Sequence, residues 1–147
     1  MEKELTHQLK KDLVSKFVFG GKSIFTVRNE NTGNRFTYRV RKLKTDDVTK
    51  DIYFVSVLVG SDNEHSYKFF GTIFNKTTYK FSINKSKVSQ DAQSVKVFEW
   101  LLKKISTNTL PDFVKIYHEG KCGRCGRTLT VPESIENGIG PECMNYV

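Results

Sequence analysis

The chain has 147 residues, which is enough for one domain with its own hydrophobic core. Its 24 lysines and arginines outnumber its 16 acidic residues, giving a net charge of +8. This balance makes polyanions the first class of partner to consider, although a modest positive charge also serves solubility. No apolar run reaches the length of a membrane span, and the charged N-terminus argues against a secretory signal, so we expect a cytoplasmic protein.

Residues 3–17 are predicted to form an amphipathic helix. Leu5, Leu9, Leu13 and Phe17 recur every four residues, with lysines at intervening positions. This spacing lines one helical face with apolar side chains. Most such faces dock on their own domain, so a cap on the core is favoured over an arm that binds a partner.

Five β-strands are predicted between residues 17 and 83. The segments are rich in Phe, Tyr, Val, Ile and Thr, and turn-forming residues separate them. They span residues 23–29, 35–43, 52–59, 67–74 and 78–83. Their short connections predict an α+β fold built on a five-stranded antiparallel meander.

A helix over residues 90–105 is predicted to pack on this sheet. Apolar residues recur in it at helical spacing, namely Ala92, Val95, Phe98, Leu101, Leu102 and Ile105. The third strand, residues 52–59, is apolar on nearly both faces, which predicts that it is covered on both sides. Residues 113–117 form a short strand that leads into the C-terminal segment. The predicted division is an α+β domain over 1–110, with residues 111–147 packed on it.

Positive charge is concentrated near the N-terminus. Residues 1–44 hold 11 basic and 4 acidic side chains, a balance of +7. Guanidinium groups pair with phosphates and aromatic faces stack on bases, so the first hairpin is a candidate nucleic-acid surface. The residues assigned to it are Arg28, Arg35, Arg39, Arg41, Lys42 and Lys44. Strand alternation alone would also give a solvated polar face over buried aromatics, and the exposure of aromatic side chains decides between the two.

All three cysteines lie in the C-terminal segment. Cys122 and Cys125 form a Cys-x-x-Cys pair with Gly126 directly after it, and Cys143 follows after seventeen residues. This pattern is typical of a zinc knuckle, because glycine tolerates the backbone angles of the tight turns. His118 completes a Cys3His set for Zn2+. Other fourth ligands remain open, namely His65, Asp112 and Glu119.

Two local signals predict how Cys143 reaches the site. The capping-box spacing from Thr130 to Glu133, with Asn137-Gly138 as a C-cap, predicts a one-turn helix in the gap. Gly140-Pro-Glu-Cys143 is typical of a second helix start. Knuckle, excursion and ligand-bearing helix together predict a treble-clef-like finger. A disulfide is disfavoured because cytoplasmic thiols stay reduced.

The run Lys121-Cys-Gly-Arg-Cys-Gly-Arg-Thr-Leu-Thr-Val-Pro-Glu-Ser-Ile-Glu-Asn-Gly-Ile-Gly-Pro-Glu-Cys143 resembles a C-terminal segment found in small bacteriophage and plasmid proteins of unassigned function. The resemblance covers about thirty residues and implies a phage or plasmid origin and a bound metal. It brings no biochemical activity with it.

No catalytic motif is recognisable, and a zinc with four protein ligands is closed and structural. If His118 were not a ligand, an open position would allow hydrolytic chemistry. We therefore expect a non-catalytic, zinc-stabilised nucleic-acid-binding protein. The alternative is an inhibitor or adaptor that binds a host protein, through the N-terminal helix or the finger.

Overall fold

Seven strands form one antiparallel sheet in the computed structural model of the chain, which describes residues 7–43, 51–59 and 66–146. The spatial order is β1-β7-β2-β3-β4-β5-β6. The strands are β1 (His7–Gln8), β2 (Lys22–Asn29), β3 (Arg35–Lys42), β4 (Ile52–Leu58), β5 (Tyr67–Phe74), β6 (Thr78–Phe81) and β7 (Val114–His118).

The five predicted strands are present as β2 to β6, but the prediction of a five-stranded sheet is wrong. β7 pairs antiparallel with β2 over five positions, from Phe25 opposite His118 to Asn29 opposite Val114. Its residues alternate between buried and half-buried, so one face of β7 belongs to the core. An unpaired β2 edge would leave backbone groups without partners, and β7 satisfies them.

The predicted N-terminal amphipathic helix over residues 3–17 is also wrong. His7 and Gln8 form β1 and pair with β7, and the Leu9 amide donates to the Ile116 carbonyl at 2.7 Å. Helical structure is confined to a 3₁₀ turn at Lys11–Leu13 and to α1 (Val14–Val18). The backbone of residues 7–9 is therefore hydrogen-bonded to β7 and is not available for the hydrogen bonds of a helix. Leu5 lies outside the described residues.

One face of the sheet, here called the inner face, packs on α1 and on α2 (Gln93–Ser106). Phe98 of α2 contacts the rings of Tyr38 and Phe70, with centroids 5.0 and 5.6 Å apart. The Tyr38 hydroxyl donates to the Ser94 carbonyl of α2 at 2.5 Å. The apolar alternation of β3 and the helical spacing of α2 thus meet in a single core.

The opposite face, here called the outer face, is partly open. In β4 the core-facing Tyr53, Val55 and Val57 are buried, whereas Phe54 on the outer face is 39% exposed. The prediction that β4 is covered on both sides is therefore wrong at Phe54. Among the described residues, Phe69 contacts the Phe54 ring on this face, and the rest of the Phe54 ring is exposed.

None of the described helices is long and apolar enough to cross a membrane. The proposed boundary between residues 1–110 and 111–147 stays a prediction. Strands from both sides of this boundary belong to one sheet, since β7 lies between β1 and β2.

Candidate functional site

The first half of the cysteine site is a tight knuckle. The Cys122 amide donates to the Arg127 carbonyl and the Gly126 amide donates to the Cys122 carbonyl, each at 2.9 Å. Lys121 and Thr128 form an antiparallel bridge that closes the loop. Gly126 has φ of 79°, a left-handed angle that glycine adopts without strain. The Cys-x-x-Cys sequence therefore folds as a knuckle.

The second half contains α3 (Pro132–Asn137) and a 3₁₀ turn at Cys143–Tyr146. Proline stands in the first turn of α3, and Gly138 ends the helix at φ of 73°. The capping box is not formed, because Val131 rather than Thr130 is the N-cap and it makes no side-chain cap. A 3₁₀ turn, rather than an α-helix, carries Cys143.

These two halves bring Cys122, Cys125 and Cys143 together, and we call these residues the cysteine cluster. Their Sγ atoms all lie within 4.8 Å of one another. A tetrahedral zinc with Zn–S bonds of about 2.3 Å separates its sulfurs by about 3.8 Å. The observed limit of 4.8 Å exceeds this spacing by about 1 Å. The cluster therefore fits a soft metal ion. Among the described residues, these three cysteines are the group of possible metal ligands that lie close together.

Backbone amides aim at the Cys122 sulfur. Arg124 and Gly140 each donate an amide hydrogen bond to Cys122 Sγ at 3.4 Å. Burial opposes ionisation of this thiol, but amide hydrogen bonds, including one from Cys125, outweigh burial and lower the Cys122 pKa to about 7. The thiolate that a metal requires is thus favoured at Cys122.

Cys143 has a different environment. Burial raises the pKa of its thiol, and the neighbouring Cys122 and Cys125 add to this effect. The Arg124 guanidinium donates to Cys143 Sγ at 3.5 Å and works in the opposite direction. A positive metal ion would remove the repulsion between neighbouring thiolates.

The structure does not bring His118 into the cysteine cluster. Its Nε2 lies 2.6 Å from the Ile135 carbonyl, and its Nδ1 accepts the Gly120 amide at 2.9 Å. The ring is buried, and burial lowers its pKa, so it is neutral with the proton on Nε2. His118 thus connects β7 to α3 through hydrogen bonds.

The other described candidates for the fourth ligand, Asp112 and Glu119, are also not grouped with the cysteines. Asp112 forms an ion pair with Lys11. Glu119 is not part of the group of ligand atoms within reach of one another, and His65 lies outside the described residues. A surface cavity of about 450 Å³ is lined by all three cysteines and by Glu142 and Arg127. The cysteine cluster therefore has access to solvent.

Four of the six predicted nucleic-acid-binding residues share the outer face. Arg28 lies directly opposite Arg35 in the β2–β3 register, and Arg39 and Arg41 follow on β3 with the same alternation. Lys42 alternates to the other side and forms an ion pair with Asp51 at 3.1 Å. Lys44 lies outside the described residues.

Sequence reasoning missed the aromatic part of this surface. Phe25 and Tyr38 of the first hairpin are buried, as the solvated-face alternative requires. However, β4 and β5 bring Phe54 and Phe69 beside the arginines, with ring centroids 5.6 Å apart. The signal available in the sequence was strand alternation, which places Phe54 on the opposite face of β4 from its neighbours Tyr53 and Val55, and these two are buried.

The structure defines a seven-stranded antiparallel protein with a C-terminal three-cysteine segment. Residues 116–146 match a family of unknown function, DUF6011. The matched stretch contains His118 and the whole cysteine cluster. Comparisons with curated proteins and with solved structures found no match.

Proposed function

We propose that this protein binds nucleic acid through the outer face of its sheet, and that a zinc ion held by the cysteine cluster secures its C-terminal segment. The observation that carries the proposal is the row of four arginines, Arg28, Arg35, Arg39 and Arg41, beside an exposed phenylalanine. The proposed activity is binding, without a catalytic step.

Like charges are crowded on this face. Arg28 and Arg35 occupy directly opposed positions on neighbouring strands, which places two guanidinium groups side by side on the outer face. Glu30 lies 4.0 Å from Arg28, and an exposed pair of this kind contributes little. A bound polyphosphate would accept charge-assisted hydrogen bonds from the guanidinium groups on this face.

Arg39 shows the same crowding. Burial lowers the pKa of its guanidinium, and the positive charge of Arg41 lowers it further. The Arg39 guanidinium also lies 4.7 Å from the centre of the Tyr67 ring, which holds it on the outer face. Arg39 remains charged at neutral pH because an arginine pKa starts far above 7. A phosphate beside it would relieve the repulsion from Arg41.

The proposed zinc role rests on the three sulfurs and the amides that face them. When bound, zinc supplies a cross-link between the knuckle and the turn that carries Cys143. The described residues offer three ligands for it, and all three line a surface cavity. The resemblance of residues 121–143 suggests a phage or plasmid origin, which would set this binding in a host cytoplasm.

The test compares two pairs of neutralising substitutions. Arg39→Gln with Arg41→Gln removes two charges from the outer face, and Lys96→Gln with Lys103→Gln removes two from exposed positions on α2. Binding of labelled DNA and RNA is measured from about 50 to 200 mM salt. We expect the arginine pair to weaken binding and to lower the log-log salt slope by about two, because each lost phosphate contact removes about one unit. The lysine pair should leave both unchanged.

An equal loss of binding in the arginine pair and in the lysine pair would mean that only the net charge of the protein matters. The outer face would then not be the binding surface. A parent protein that binds neither DNA nor RNA would overturn the proposed function. A protein partner of the host would then become the first candidate, and a pull-down at high salt after nuclease treatment would seek it.

A further inference from the structure

A groove of about 680 Å³ crosses the outer face over β3, β4 and β5. Its walls carry three cationic side chains, Arg39, Arg41 and Lys85, together with the rings of Phe54 and Phe69. Among the described residues that line it, none is acidic. The volume falls within the range of pockets that hold small organic ligands. Its charge selects an anion, and its rings provide an apolar surface.

Phe54 is the central aromatic residue of this groove. It is 39% exposed although it lies in the middle of a sheet, next to the buried Tyr53 and Val55. Phe69 meets it edge-on, with an interplanar angle of 82°. This contact supports the Phe54 ring from one side, and the exposed remainder is open to the groove. An aromatic surface among cations is the composition on which nucleic-acid bases stack.

We propose that the groove takes unpaired bases of a single-stranded nucleic acid, which stack on Phe54 while Arg39 and Arg41 contact the flanking phosphates. This inference rests on the proposed nucleic-acid binding and specifies its substrate class. A base within a duplex already has both faces stacked, so a ring on a sheet surface has no access to them. Arg39 and Arg41 are two positions apart on β3, so their side chains leave the strand about 7 Å apart, on the same face as the rings of Phe54 and Phe69.

The test uses three probes and two matched variants. The probes are a thymidine oligonucleotide of about twelve residues, an abasic oligonucleotide of the same length, and the duplex of the thymidine strand with its complement. The variants are Phe54→Leu and Phe113→Leu. Both phenylalanines are 39% exposed, but Phe113 lines a different cavity beside α2. Leucine keeps the apolar bulk and removes the aromatic face.

We expect the parent to prefer the thymidine strand over both other probes. Phe54→Leu should weaken binding of that strand about five- to a hundredfold, as loss of one stacked base predicts, and should leave the abasic strand unchanged. Phe113→Leu should bind all three probes like the parent. Phe69→Leu serves as a second variant, with the same expected direction, if Phe54→Leu does not fold.

Two results would overturn the inference while leaving nucleic-acid binding intact. One is a parent that binds the duplex as tightly as the single strand. The other is a folded Phe54→Leu protein that binds the thymidine strand as the parent does, while Arg39→Gln with Arg41→Gln still weakens it. Failure of the parent to bind any of the three probes, or a uridine RNA strand of the same length, would instead overturn the proposed function itself.

Discussion

Cys122 is held by hydrogen bonds at its amide, its carbonyl and its sulfur. The amide and carbonyl bonds are made within the knuckle, to Arg127 and from Gly126. The sulfur accepts amides from both halves of the site, since Arg124 belongs to the knuckle and Gly140 precedes the turn of Cys143. At the scale of single residues, the backbone therefore positions the Cys122 thiol and favours its ionisation.

The ligand set can be tested one residue at a time by elemental analysis of protein prepared without chelator. We expect about one zinc per parent chain and its loss in Cys143→Ser, because three thiolates are the ligands that the described residues bring together. His118→Gln should keep its zinc, since both ring nitrogens of His118 are bonded to backbone groups.

The His118→Gln protein should nevertheless be less stable to urea, by about 1–3 kcal/mol, because buried hydrogen bonds are disturbed. Loss of zinc from a folded His118→Gln protein would instead identify His118 as the fourth ligand. Full zinc in Cys143→Ser would remove the cysteine cluster from consideration.

At the scale of elements, the knuckle is packed closely against the helical turn that precedes β2. A Cβ placed on Gly123 would lie 2.6 Å from Phe17 Cδ2, and one placed on Gly20 would lie 2.5 Å from the Gly123 carbonyl oxygen. The Lys22 amide also donates to the Gly123 carbonyl at 2.9 Å. The knuckle is thus supported by packing on α1 and by a hydrogen bond from β2.

Gly123→Ala tests this packing. The added methyl group would collide with the Phe17 ring, and overpacking of this kind typically costs about 1–3 kcal/mol. Gly140→Ala is the matched control, because a Cβ there has Leu129 Cδ2 as its nearest neighbour at 4.0 Å. Thermal unfolding of the zinc-loaded proteins should show a lowered Tm for Gly123→Ala and little change for Gly140→Ala. Equal effects of the two substitutions would contradict the proposed contact.

At the scale of the whole molecule, the N-terminal and C-terminal parts of the described chain are tied together. β1 and β7 pair with each other, and the His7 and His118 rings stack with centroids 5.1 Å apart. Lys10 forms an ion pair with Glu136 of α3 at 2.8 Å. Exposed ion pairs contribute little, so strand pairing and packing carry most of this connection.

Chelation of the metal should therefore loosen the molecule unevenly. Binding of a structural metal is coupled to local folding, so we expect amide exchange to rise first in the knuckle and around Cys143. The amides that pair β7 with β2 should stay protected for longer, because the sheet holds them independently of the metal. Hydrogen exchange with and without chelator measures this order. A simultaneous rise in β3 to β5 would show that the metal supports the whole fold.

Local spacing in the sequence was enough to predict β2 to β6, α2 and the Cys-x-x-Cys knuckle. Strand alternation, helical periodicity and glycine in tight turns act over a few residues, and nothing distant opposes them at these positions. The same reasoning failed for residues 3–17. Apolar residues spaced four positions apart are also compatible with a strand followed by a short helix, and in that arrangement Leu9, Leu13 and Phe17 all reach the core.

By itself, the sequence determined a β-rich chain with a basic first hairpin and three cysteines spaced for a metal. The tertiary structure decided that β7 lies between β1 and β2, that His118 bonds to Ile135 and Gly120, and that Phe54 and Phe69 line a groove beside Arg39. These features join residues far apart in the chain, such as His7 with His118. A short segment contains no information about which distant strand will become its neighbour, because the free energy of pairing depends on both partners and on the core they share.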